Sequence, residues 1–372
     1  MCAMDDTMND ISRRRTARHL VTLRQLCEVI ALTPQPSLRI ALIAGGQAAL
    51  SALAATLLIC ATPWQHLIAF PALGALASLF GRYAPVQRRM TIVTICAALL
   101  TGGVLLQSLA SSAGASPVER LLLLALIAGG ATLAIAHWRL GGPGPIIVTF
   151  ASAGALGPVA SWHAAAEQTL AAAAGGAVAW VVCRITDRLR SAELEVLVLP
   201  QAPHRPFRHE VIAAGRIAAG TAAAALIAQA AGWPHPSWAA IGALAVLQGA
   251  HLHVTMSRAL QRMAGTLVGV FLAWAVLAQD LPLWGLIAAV VLFQFVTEVV
   301  IGYNYALGQI TVTPMALIMT YIAAPATAVG MPVERALESI LGVALGIVFA
   351  VLFSTADDRV YLARHREGQP AP

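Results

Sequence analysis

In the stretch HLHVTMSRALQRMAGTLVG, residues 251–269, two arginines stand four residues apart, at Arg258 and Arg262. On a helix that spacing sends both guanidinium groups from one face, and Thr255 or Ser257 just ahead of them suits an N-cap. The free N–H groups of a first turn, the positive end of the helix dipole and two planar forks together make a receptor for a carboxylate. The same two arginines also suit the inner boundary of a membrane helix, where the topology rule alone would put them. His251 and His253 in the same stretch point apart on a helix and have no cysteine or carboxylate beside them, so no metal site is expected.

Other polar residues interrupt apolar runs elsewhere. Arg216 stands about two turns into one such run, and an ionisable group at that depth is a binding candidate unless it snorkels to the interface. Asn304 and Tyr305 follow Gly302 at a break between two runs. Thr311-Val312-Thr313-Pro314 places a proline kink beside two hydroxyls, which serve either a substrate or the freed carbonyl. These residues, with Arg258 and Arg262, are the substrate-binding candidates. Glu298 and Glu338 are the proton-coupling candidates, because no other carboxylate lies so far into an apolar segment. Gly265, Thr266 and Gly269 form a small-residue face that suits close helix packing. Phosphate-binding GxxxxGK[ST], GxSxG, HExxH and metal-type cysteine pairs are all missing, so the chain reads as a non-enzyme with no cofactor.

The elements that must carry these residues follow from composition. With 59% hydrophobic and 11% charged residues over 372 positions, the chain belongs in a bilayer, since a soluble domain averages about a quarter charged. A helix crosses the hydrocarbon with about 20 apolar residues, and the apolar segments lack the alternation of strands. The fold class is therefore all-α membrane protein, with twelve spans near 39–60, 64–81, 90–111, 119–138, 143–161, 167–185, 210–231, 236–250, 258–278, 282–300, 303–323 and 333–354. Five dispersed cysteines (Cys2, Cys27, Cys60, Cys96, Cys183) imply no disulfide framework.

All 23 basic residues are arginine, and they gather in alternate segments: the N-terminal tail, then Arg82, Arg88 and Arg89, Arg139, the region from Arg184 to Arg208, Arg258 with Arg262, and the C-terminal tail. Those segments are cytoplasmic by the positive-inside rule, which also speaks against a nucleic-acid surface. Arg120 and Arg335 are exceptions on the outer side, each beside a glutamate. The halves repeat: residues 73–81 (LGALASLFG) match 241–249 (IGALAVLQG) at six of nine positions, 168 residues apart. Arg39 and Gly46 pair with Arg208 and Gly215, and Glu167, Leu170 and Gly175 with Glu334, Leu337 and Gly342, at nearly the same spacing. Six spans per unit make the repeats parallel, with the path for a substrate between them. Gly74 and Gly242 then occupy equivalent packing positions. The organisation is a cytoplasmic tail at 1–38 with room for an interfacial helix, a six-helix repeat at 39–185, a cytoplasmic linker at 186–209, a second six-helix repeat at 210–355 and a tail at 356–372.

The second half, through PSWAAIGALAVLQGA, TMSRALQRMAGTLVGV, GYNYALGQITVTPMAL and ERALESILGVALG, resembles the fusaric acid resistance protein family of bacterial inner-membrane transporters, which includes the aromatic acid exporters. The residues carrying the resemblance are Trp238, Gln248, Arg258, Arg262, Gly265, Thr266, Gly269, Asn304, Tyr305, Ala306, Thr313, Pro314 and Gly342. It implies efflux of aromatic carboxylic acids or related small organic acids, coupled to protons. The longer exporters carry a sizeable cytosolic domain where this chain has about two dozen residues, and the related plant malate channels share the six-helix unit. A passive organic-anion channel and a non-transporting scaffold of an envelope complex therefore stay open beside the exporter. The partners implied are membrane lipid and a small organic anion, with a periplasmic adaptor protein and a homo-oligomer left open.

The orientation has a direct test. Single cysteines at Gln65 and Pro234 on a cysteine-free background are expected to react with an impermeant maleimide in whole cells, and one at Ala202 to stay unlabelled. Labelling at position 202 would overturn the topology.

Overall fold

The computed structural model describes residues 29–194, 206–249, 252–323 and 330–353. Most of the expected interfacial segment, the centre of the linker, His251 with the side chain of His253, and the C-terminal tail lie outside the described residues. Within them the chain forms twelve α-helices and no strand: α1 (Leu38–Cys60), α2 (Ala69–Ala75), α3 (Val86–Ser112), α4 (Pro117–His137), α5 (Pro145–Ala153), α6 (Trp162–Leu194), α7 (Phe207–Ala230), α8 (Pro236–Leu247), α9 (Leu252–Leu277), α10 (Leu283–Val300), α11 (Tyr305–Ala323) and α12 (Met331–Leu352).

Each apolar segment of the sequence contains one of these helices, but only nine are long and apolar enough to cross a membrane, so the reading of twelve spans is corrected at α2, α5 and α8. The 12 residues of α8 reach about 18 Å, well short of the ~30 Å of hydrocarbon. Local chemistry sets the short lengths. Pro145 opens α5 behind Gly144, which sits at φ 92°, and Gly154 closes it after 9 residues. The α2 helix tightens into a 3-10 turn over Leu76–Leu79 and stops before Gly81, at φ 70°. Every residue from Trp238 to Leu247 in α8 is buried, so this helix is wrapped by protein on all sides. Hydropathy alone does not separate a helix buried in protein from one bathed in lipid, which is why all twelve segments read as spans.

Packing follows an order. In the first half α1 lies on α2 and α6, α6 also holds α2 and α3, and α5 packs on α3 and α4. In the second half α7 lies on α8 and α12, α12 also holds α8 and α9, and α11 packs on α9 and α10. The two sets meet where α4 packs on α7 and where α10 packs on α1. At Gly175 in α6 and Gly342 in α12 a helix presses against the backbone of its neighbour. A Cβ at Gly175 would strike the Pro71 carbonyl on α2, and one at Gly342 the Ala239 carbonyl on α8. Gly74 is as tightly held against Ala172, whereas Gly242 has its nearest neighbour, the Gly342 Cα, at 3.2 Å.

Gly175→Ala and Gly342→Ala are expected to destabilise by about 1–3 kcal/mol each, the usual cost of overpacking, and to lower the yield of folded protein. Gly215→Ala, with nothing within 4 Å of the new methyl group, is expected to be silent. Thermal melts in detergent check all three; an unchanged midpoint for Gly342→Ala would remove the close contact of α8 and α12.

Candidate functional site

One large cavity, about 810 Å³, opens between the halves. The first half lines it with the α2–α3 corner (Gly81 to Pro85), Arg88 and Ile92 on α3, the α4–α5 loop from Arg139 to Pro143, and Ile146, Ile147 and Phe150 on α5. The second half adds Ile241 and Ala245 on α8, Gln248, the α9 face carrying Ser257, Arg258, Gln261 and Arg262, residues of α10 and α11, and Arg335 on α12. Among the described lining residues are six arginines and one carboxylate, Glu298. The wall between the charged groups is largely aliphatic and aromatic, so the cavity suits an anion with an apolar body.

Arg262 is 1% exposed. Its Nη1 donates to the Tyr305 hydroxyl and to Gln309 Oε1, both at 3.3 Å. Its Nε and Nη2 have no hydrogen-bond partner. Nε and Nη2 form the side edge of a guanidinium, the fork that takes a carboxylate with two parallel bonds. Gly265 makes this placement possible: α9 approaches α11 so closely there that a Cβ would lie 2.5 Å from the Ala306 carbonyl. Gly269 and the buried Thr266 continue the same close face, with Gly269 against Thr313. Arg258, one turn earlier, lies over the Tyr305 ring with its guanidinium carbon 6.0 Å from the centroid.

Arg335 is equally buried, and its Nε and Nη1 lack partners. Its guanidinium lies over the Trp238 ring, 5.0 Å from the centroid, and His235 stacks on that ring at 4.3 Å. Burial pushes the His235 imidazole below its ordinary value, against the opposing pull of Glu334, 3.2 Å from Nδ1. Arg82 and Glu298 tie the halves together: Nη2 of Arg82 donates to the Glu298 carboxylate at 2.5 Å and to its carbonyl at 2.6 Å. A buried network fixes Arg82 from behind. Arg190 donates to the carbonyls of Arg82 and Ala84 and to Asp187, and Asp187 also takes Arg89, whose Nη2 reaches Gln47.

Of the residues singled out from the sequence, Arg258, Arg262, Tyr305 and Glu298 come together at the cavity. The others stand elsewhere. Thr311 bonds Thr297 across α10 and α11, and Thr313 donates to the Gln309 carbonyl one turn back on α11, next to the Ile310 carbonyl that Pro314 leaves without its helical donor. Asn304 accepts from the Ala306 N–H at the start of α11 and donates to the carbonyls of Val29 and Ala31, tying the chain ahead of α1 to the second half. Arg216 is half-buried on α7 and Glu338 is buried on α12, neither of them lining the cavity. Sequence reasoning passed over Arg335 and Arg82. Arg335 carried a signal all the same: an arginine on the arginine-poor side breaks the topology rule and has to be held by something other than cytoplasm.

Residues 222–349 match the family model described as fusaric acid resistance protein-like. No curated protein and no solved structure gives a significant match to the chain. The fusaric acid resistance-like region holds Arg258, Arg262, Glu298, Tyr305, Arg335 and Glu338, while Arg82, Arg88 and Arg139 complete the cavity from outside it. With nine helices among the described residues able to cross a membrane by length and composition, the chain is a multi-pass membrane protein carrying this region.

The Arg82 to Glu298 tie is expected to show in a double-mutant cycle. Arg82→Gln and Glu298→Gln should each lower the melting midpoint, and the double variant should lose less than their sum by about 0.5–3 kcal/mol, the range for directly bonded pairs. Strict additivity would mean that the bond contributes nothing.

Proposed function

We propose that the protein is an efflux transporter of the bacterial inner membrane for small aromatic or other organic acids, with both termini in the cytoplasm. The observation that carries this reading is the pair Arg262 and Arg335. Both are buried, both line the same cavity, and both keep unused N–H donors. A buried polar group without a partner costs free energy, and a bound carboxylate is the partner that this donor set fits. The aliphatic and aromatic wall suits the body of an organic acid, and the match of residues 222–349 to the fusaric acid resistance protein-like family model points the same way.

The reading includes the two parallel six-helix repeats. Its support is that each main helix contact of the first half recurs six helices later, and that Gly175 meets Pro71 as Gly342 meets Ala239. Arg82, Arg88, Arg139 and Arg258 all belong to the arginine-bearing segments, so the mouth of the cavity faces the cytoplasm in this reading and its positive field gathers anions there. Proton coupling falls to Glu298, because protonating its carboxylate removes the charge opposite Arg82 and loosens the tie between the halves.

Purified protein in liposomes is expected to carry benzoate, at a rate set by an imposed pH gradient. Flux that ignores the gradient and follows voltage would identify a passive anion channel, and no flux of any organic anion would leave a scaffold. Arg262→Lys keeps the charge and loses the fork. Since a hydrogen bond to a charged group is worth about 1.5–3 kcal/mol, the variant is expected to lose about ten-fold or more in apparent affinity at matched membrane abundance. Native transport by Arg262→Lys would reduce the α9 arginines to markers of the membrane boundary.

A further inference from the structure

Glu338 stands one helical turn beyond Arg335 on α12, at the spacing where side chains on one face meet. It is 1% exposed. One carboxylate oxygen accepts the backbone N–H of His235 at 3.0 Å, and the other has no partner. Arg335 beside it also keeps two donors unused, yet no ion pair joins the two. Two opposite charges thus lie buried within one turn of each other, both incompletely satisfied, and only the arginine lines the cavity.

We infer that Glu338 is a built-in counter-anion of the cavity, competing with the transported anion for Arg335. The inference rests on the anion-binding reading of Arg262 and Arg335. In the present arrangement the His235 N–H holds Glu338 aside, and Arg335 rests on Trp238 with donors to offer. If His235 at the N-terminal end of α8 moves, Glu338 loses that donor and turns to Arg335, and a bound anion loses one of its two guanidinium partners. The site therefore releases what it binds, which a transporter requires and a tight receptor does not. The charged groups nearby are few. Arg335 and Glu334 share α12 with Glu338, Glu334 being paired with the His235 ring, and α9 contributes Arg262. Residues 219–230 of α7, which also packs on α12, contain no titratable side chain.

The test is equilibrium binding of radiolabelled benzoate to the purified full-length protein in detergent. Glu338→Gln keeps an oxygen for the His235 N–H and removes the competing charge, so it is expected to bind benzoate about ten-fold more tightly and to turn over more slowly in liposomes. Glu334→Gln, which alters a half-exposed neighbour, is expected to change affinity far less. In an Arg335→Gln background the gain from Glu338→Gln should vanish, which a merely structural role for Glu338 does not predict. Should Glu338→Gln fail to accumulate, Glu338→Ala carries the same test. Equal or weaker benzoate binding by the Glu338 variant, with the native protein binding normally, overturns this inference alone. Absence of benzoate binding to the native protein overturns the anion-site reading and this inference with it.

Discussion

A guanidinium buried inside a membrane protein must be surrounded by acceptors or be left short of them, and the structure does both. In the first half, Arg89 and Arg190 share the Asp187 carboxylate, and backbone carbonyls and Gln47 take up most of their remaining donors. In the second half, Arg262 has only a tyrosine hydroxyl and a glutamine oxygen, and Arg335 rests on the face of a tryptophan ring. The first arrangement gives its guanidiniums a carboxylate and neutral acceptors and serves as framework. The second leaves positive charge uncompensated, and that imbalance faces the cavity. Unpaired buried charge is destabilising, so the packing around Arg262 and Arg335 has to hold them against it.

That packing depends on close backbone approach. Hydrophobic association contributes little between helices surrounded by lipid tails, so contact area and small residues do the holding. Gly265 and Gly269 seat α9 on α11, and Gly342 seats α12 on α8. The half-length α8 matters here because it is wholly enclosed. Its N-terminal end offers the His235 N–H to Glu338 and places Trp238 under Arg335, so one short element sets the surroundings of both Arg335 and Glu338. The framework network contributes from the other half by fixing the α2–α3 corner from which Arg82 reaches Glu298.

Much of this was legible in the sequence. Composition placed the chain in a bilayer, hydropathy found the helical segments, and the spacing of Arg258 and Arg262 placed them on one face. Membrane helices are legible in this way because lipid imposes backbone satisfaction on each segment separately, and a segment's own residues decide whether it complies. What a segment cannot reveal is its neighbours. Thr311, Thr313 and Asn304 read as substrate groups because polar residues in an apolar run need partners, and the folded chain shows those partners to be a neighbouring helix for Thr311, the preceding turn of its own helix for Thr313 and the chain ahead of α1 for Asn304. The length of α8 was misread for the same reason, since apolar residues look alike whether they face lipid or protein.

The sequence by itself determined an all-helical membrane protein, its arginine asymmetry and one cationic face on α9, because each of these is local in the chain. The tertiary structure decided which charges are answered and which are not. Arg262 and Arg335 are 73 residues apart in sequence, as distant along the chain as Arg335 and Glu338 are near, yet it is the distant pair that lines one cavity and the near pair that stays unbonded. Electrostatic satisfaction is a property of the volume around a group, and that volume is assembled from α8, α9, α11 and α12 only when they pack.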